Sequence, residues 1–260
     1  MRCHLIARLL SSLGRDDVLF APGMKLPMRP ATLREIDNSI TPSGYILNPY
    51  PIVRSEDKDV PHENDAVELI ERMVKENANN ITLVCIGPLT NIAAALCRYP
   101  EIKPLIRSIA IMGGELQSNR AEHNVAWDSS AAEIVFASEI PMFVGTWGVT
   151  RDFVLSPEDC QRIGEHPSPL CQMMHEAIEL WWPYKAHKPS PVMYDVAPIL
   201  WTYAPEYFTM EAINVKVENS GAHTRGFTIR GNGEPNAQVT LKMEVERIRE
   251  LYLETIFNNV

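Results

Sequence analysis

Hydrophobic positions along this chain follow two spacings, and the switch between them marks its elements. In residues 64–77, NDAVELIERMVKEN, the apolar side chains fall at Ala66, Val67, Ile70, Met73 and Val74, which is helical spacing. ITLVCIG comes next, a short apolar run bounded by turn residues, and predicts a strand covered on both faces. GPLTNIAAALCRYP predicts a turn and a helix stopped by Pro100. A second buried strand is expected over Ile106 to Met112, ending at Gly113-Gly114, then a helix over Ser129 to Ser138 and a third strand in PMFVGTW. Strands and helices that alternate in this way predict a parallel sheet with helices on both faces.

The flanks are less regular. The start, MRCHLIARLLSSLGRDD, is amphipathic and predicts a surface helix, followed by a short strand at Val18 to Ala21 and a turn at Pro22-Gly23. Residues 24–60 are rich in Pro, Ser, Asn and charge, so this long irregular stretch reads as functional loop or partly disordered chain. Further on, helices are expected at Leu170 to Trp182 and Val196 to Thr202, and strands at Ile213 to Val217, Gly226 to Ile229 and Ala237 to Leu241. Val245 to Phe257 closes the chain as a helix. With no repeat, low-complexity tract or boundary, the expectation is one α/β domain over residues 1–260, with a mostly parallel central sheet flanked by helices.

Composition narrows the function classes. A chain of 260 residues with 45% hydrophobic content can bury a sizeable core. Its net charge of −9, without a Lys/Arg cluster, argues against a nucleic-acid partner. No apolar run reaches the roughly 18 residues a membrane helix needs, and no secretory h-region opens the chain. Five scattered cysteines without C-x-x-C spacing read as reduced thiols of a cytoplasmic protein, not as a zinc site. Neither G-x-G-x-x-G nor G-x-x-x-x-G-K-[ST] occurs, which disfavours an unrelated nucleotide-binding fold.

Ligands of open parallel sheets bind beyond the carboxyl ends of the strands, which points to CIGPLTN, MGGELQSNRAEHN and GTWGVTRD. The second is the most suggestive, because a polar loop with Asn119, Glu122, His123 and Asn124 follows two glycines. In an extended segment Glu122 and Asn124 would point the same way, a carboxylate beside a carboxamide, as a ligand rich in hydroxyls requires. The competing reading is a turn whose polar side chains cap the helix at Ser129, and the pattern alone favours it. Asp195, in SPVMYDVAPIL, is similarly ambiguous between the N-cap of the following helix and a metal ligand or catalytic group, with the cap favoured. Tyr194 reads first as a packed aromatic and second as a stacking partner for a base. Trp127, Trp147, Trp181, Trp182 and Trp201 are expected mostly in the core, with His123 in a loop and His175 on a helix.

In order and spacing, ITLVCIGPLTNIAAAL, IRSIAIMGGELQSNRAEHNVAWDSSAAEIVF, PMFVGTWGVTRD, MYDVAPIL and the tail from SGAHTRGF onward resemble the inosine–uridine-preferring nucleoside hydrolases. The resemblance covers nearly the whole chain, most fully from Asn64 to Phe257. It implies a nucleoside hydrolase-like α/β fold and hydrolysis of the N-glycosidic bond of ribonucleosides by a metal-activated water, with calcium at the base of the pocket. Carried over by position, Glu122 and Asn124 match the pair that hydrogen-bonds the ribose, Met112 the methionine below the sugar, and Asn119 an asparagine ahead of the A-E-x-N signature. Asp195 matches a calcium-binding aspartate, and Ile86 a residue offering its backbone carbonyl to the metal. The resemblance also implies a homo-oligomer, dimer or tetramer, acting in cytoplasmic nucleoside salvage.

Two departures from the family pattern stand out. The family opens with a strand ending in D-x-D-P-G-x-D-D, the source of further calcium ligands and the general base, and a following strand supplies another ribose-site asparagine. Neither matches here: Asp16-Asp17 and the acidic residues of Ser55 to Asp59 have the wrong place or spacing. The expectation is a chain lacking the first strands of the fold, with an incomplete calcium site and its catalytic base unassigned. The sequence then starts late, or belongs to a homologue that binds a nucleoside or sugar without catalysis or serves as an interaction module. The second departure is Tyr194, where many members carry a histidine thought to protonate the departing base; it remains a candidate leaving-group contact.

Overall fold

Burial is deepest along β2 (Ile106–Met112), which is buried at every position except Arg107. The structure, a computed structural model, describes residues 2–28, 65–181 and 190–258. Most of the irregular stretch 24–60, including the acidic Ser55–Asp59 region, and Trp182 lie outside these residues. β1 (Ile81–Cys85) and β3 (Met142–Gly145) flank β2, both parallel to it. β7 (Ala237–Met243) adds in parallel to β3, and β4 (Phe208–Ile213) pairs antiparallel with β7 at the edge, so the order is β1-β2-β3-β7-β4. The expected mostly parallel α/β sheet is therefore the observed one.

Two-residue periodicity distributes these strands between two cores. Ile109, Ile111, Met142 and Val144 face α2 (Ala66–Glu76), α3 (Thr90–Arg98) and α5 (Ser129–Phe136), which contribute Val74, Leu96 and Val135. Ala110 and Phe143 face the opposite way, toward α7 (Pro157–Glu165), α8 (Pro169–Trp181), α9 (Val196–Trp201) and α10 (Val245–Asn258). Phe143 anchors that second core, stacking on Trp201 at 4.6 Å and meeting Phe208 edge-on at 5.7 Å. Helix starts are set by side chains that satisfy free amides. Asp65 accepts from the Val67 amide at 2.7 Å to open α2, and Ser156 with Asp159 forms a reciprocal capping box on α7 behind Pro157.

Several expectations need correction. Residues 18–21 form no strand; Val18 and Leu19 are exposed, and no described strand lies beside them to share hydrogen bonds. The run expected as one strand from Ile213 to Val217 breaks at Asn214. There the chain leaves the main sheet for a two-stranded ribbon of β5 (Val215–Val217) and β6 (Thr228–Arg230), and Asn214 holds the crossing by donating to the Glu234 carbonyl at 2.6 Å. Two further helices, α4 (His123–Trp127) and α6 (Trp147–Thr150), are too short for periodicity to reveal.

Asp128 joins three parts of this architecture. Only 1% exposed, it caps α5 through the Ala131 amide at 3.0 Å, and it accepts from the Thr90 hydroxyl at 2.7 Å and the Met28 amide at 2.8 Å. Asp128→Ala strands three donors, two of them in the interior, and is expected to lower the unfolding free energy by about 3 kcal/mol. Urea denaturation measures it; a loss below roughly 1 kcal/mol, the value of one ordinary cap, would show that the three bonds do not act together.

Candidate functional site

At the carboxyl end of β2 the chain turns through Gly113 and Gly114. Gly114 has φ +77, in the left-handed region, and a Cβ there would come within 3.1 Å of the Thr228 hydroxyl, so glycine is required on both counts. The loop that follows returns through Glu122, which is 3% exposed and caps the short helix α4. Oε1 of Glu122 accepts the Asn124 amide at 2.8 Å, and Oε2 accepts the amides of Gly114 and Val125, each at 3.1 Å. A carboxylate can take about four such bonds, two on each oxygen. Among the described residues three are used, and the open position is on Oε1.

Asn124 turns back to the same strand end. Its Nδ2 donates to the Met112 carbonyl at 3.0 Å and lies 3.5 Å from the Met112 sulfur. These contacts fix the amide's orientation and leave its carbonyl oxygen facing away from the strand end. Glu122 and Asn124 thus share one end of β2, for a reason other than the expected one: Glu122 is the cap and Asn124 lies in the first turn of a helix. Glu122 is a cap, as the competing expectation had it for this loop, but of α4, while Asp128 caps the helix at Ser129.

Asp195 approaches from the other side. It precedes α9, which packs across β2 and β3, yet its side chain makes no capping hydrogen bond to that helix. The carboxylate reaches solvent, while the protein around it raises its pKa from an ordinary 3.8 to about 6, with nearby Glu122 adding a second, repulsive push. Ile86 follows Cys85, the register partner of Ile111, so its carbonyl lies at the level of Met112. Tyr194, half-buried, adjoins Asp195 in the turn before α9.

The strand ends thus bring Met112, Glu122 and Asn124 together, with Asp195 close enough to feel the Glu122 charge. Asn119 stands apart on the exposed part of the loop. Thr228, which no sequence pattern singles out, has a hydroxyl that accepts from the Glu115 amide and donates to the Glu115 carbonyl, both at 2.7 Å. With 113 positions between the partners, no local signal could have found that clamp.

Comparison with known proteins gives a consistent picture. The model of the inosine-uridine preferring nucleoside hydrolase family matches residues 2–250. The pyrimidine-specific ribonucleoside hydrolase RihA of Klebsiella pneumoniae (strain 342) is 33% identical over 261 residues, spanning 93% of this chain and 80% of that protein. RihA of Salmonella typhi is 31% identical over 270 residues, spanning 96% and 83%. Among solved structures, a plant nucleoside hydrolase, PpNRh1, superposes with TM-score 0.82 at 23% identity, over 97% of this chain and 84% of that one. A purine-preferring ribonucleoside hydrolase from Gardnerella vaginalis gives 0.83 at 24%, over 96% and 83%. These two structural likenesses concern the fold.

The raised pKa of Asp195 has a signed consequence. Between its ordinary value and about 6 the folded protein holds a proton that the unfolded chain has released, so stability falls as pH rises through that window. Asp195→Asn removes the penalty. Its melting temperature should exceed the parent's by a margin that grows from about pH 4 to about pH 7 and then levels. Scanning fluorimetry across this range tests it, and a margin independent of pH would mean that Asp195 titrates normally.

Proposed function

The chain belongs to the inosine-uridine preferring nucleoside hydrolase family, and from that premise we propose that the end of β2 and the start of α9 form its ribose site. The reaction is hydrolysis of the N-glycosidic bond of ribonucleosides. Water adds its oxygen to C1 of the ribose, the bond to the base breaks, the base takes up a proton, and ribose and free base leave. The observation that carries the assignment of residues is the open hydrogen-bonding position on Glu122 Oε1, beside the half-satisfied Asn124 amide and close to Asp195.

In this reading Glu122 and Asn124 take the ribose hydroxyls, Met112 lies beneath the sugar, and Asn119 reaches it from the exposed loop. Positive charge develops on the ribose ring as the bond breaks. Two carboxylates beneath it, Asp195 raised in energy by burial and by Glu122, stabilise that charge, and Glu122 is fixed by its three amides before the substrate arrives. Tyr194, next to Asp195, is the side chain we assign to contact with the departing base.

The family is metal-dependent, and we assign the ion as calcium. Asp195 and the Ile86 carbonyl are hard oxygen donors of the kind calcium takes, but calcium needs about six to eight oxygens. Among the described residues no group of three or more His, Cys, Asp or Glu is arranged to hold a metal. These residues are therefore part of a calcium site and do not make a whole one. Nor does any described residue stand out as the catalytic base. Cys3, Cys85, Cys97, Cys160 and Cys171 are all free thiols, which supports a cytoplasmic setting. Among the described residues no helix is long and apolar enough to cross a membrane.

Incubation with uridine or inosine in millimolar calcium should release ribose, measured as reducing sugar, and EDTA should stop the release. Asn124→Ala should lower kcat/KM by about ten- to a hundred-fold, the loss of one or two hydrogen bonds to a developing charge, without a matching loss of thermal stability. Failure of both nucleosides to react, with no heat of binding in calorimetry, would overturn the assignment.

A further inference from the structure

The ribose site just proposed depends on a loop whose middle is exposed, from Gln117 to Arg120. Its first part is held firmly. The Gly113 amide donates to the Gly145 carbonyl at 3.1 Å, the Trp147 amide to the Gly114 carbonyl at 2.9 Å, and Thr228 clamps Glu115. The Glu115 carboxylate, 2% exposed, accepts the Gln117 amide at 2.7 Å through Oε1. Its Oε2 lies so close to Gly148 that a Cβ there would sit 2.8 Å away, so the start of the loop rests directly on the start of α6. Beyond Gln117 that support ends among the described residues, where Ser118 to Ala121 make only the local Arg120–Ser118 backbone bond. What ties the outer loop to α6 is Arg120, whose guanidinium lies over the Trp147 ring at 4.0 Å. Two residues later comes Glu122, whose carboxylate must keep three amides in place to leave Oε1 open.

We propose that Trp147 and Arg120 are positioning residues for the ribose site: the ring carries the guanidinium, pins the outer loop to α6, and so holds Glu122 in its capping geometry. The inference rests on the reading of Glu122 as a sugar ligand, but the latch itself can be tested without any ligand. A second cation, Arg151, lies 4.8 Å from the same ring and 3.8 Å from Asp152. Arg151 follows α6 and carries no part of the loop, which makes it the internal control.

Amide hydrogen exchange followed by mass spectrometry reads the latch directly. Arg120→Ala and Trp147→Leu should each speed exchange across residues 114–125 by about two- to five-fold, the worth of one partly exposed cation–π contact. The amides of β2 and β3 should keep the parent rate. Trp147→Phe, which retains an aromatic face, and Arg151→Ala, which leaves the loop alone, should behave like the parent. In turnover the two latch variants should raise KM for the nucleoside by the same factor with kcat held, because the contact shapes the site before substrate binds. Parent-like exchange over 114–125 in both Arg120→Ala and Trp147→Leu would overturn the proposal, as would acceleration shared equally by β2 and β3. A parent protein that neither binds nor cleaves a nucleoside would remove the sugar-site reading while leaving the exchange comparison intact.

Discussion

Three backbone amides converge on the Glu122 carboxylate, and the local structure at the end of β2 depends on that convergence. A buried, charged acid is costly unless hydrogen bonds replace the water it has lost. Here the amides of Gly114, Asn124 and Val125 replace it, closing the loop from both ends at once. The residues that make the site are therefore the ones that complete the turn. Capping does not exhaust Glu122, since a carboxylate has lone pairs for about four donors.

Charge gives the site its chemical character. Asp195 lies near enough to Glu122 to be raised in energy by it, and no helix amide relieves it as a cap would. Two acids held this close give this end of the sheet a negative potential, of the kind that attracts a positive charge. Cys85, at the end of β1, is buried, and burial pushes its thiol up to about 12, so it stays protonated.

The sheet explains why residues so distant in sequence meet. β1, β2 and β3 run parallel, so their carboxyl ends lie on one edge, and Ile86, Met112–Gly114 and Thr146–Gly148 are gathered there together. α9 lies across the same strands and brings Asp195 to that edge. The β5–β6 ribbon, formed where the chain leaves the sheet at Asn214, supplies Thr228 as the outer clamp. The rim is thus assembled by strand direction and crossing helices, and its side chains need no sequence proximity.

The sequence by itself determined the parallel core and which residues were candidates for a site. Buried strands announce themselves through apolar runs such as ITLVC and IRSIAIM, because a strand covered on both faces has no polar side to show. The rule that ligands gather at strand ends then pointed to the loop of Glu122 and Asn124 without coordinates, while Asp195 stood out as an acid set between apolar residues. Only the tertiary structure could decide what those residues do there. Whether Asp195 caps its helix depends on how α9 sits against β2, and whether Val18 to Ala21 forms a strand depends on a neighbour to pair with. The Thr228 clamp and the Arg120–Trp147 stack join residues that no local pattern relates. Period and composition record what a segment buries; partners brought together by folding leave no such trace in the chain.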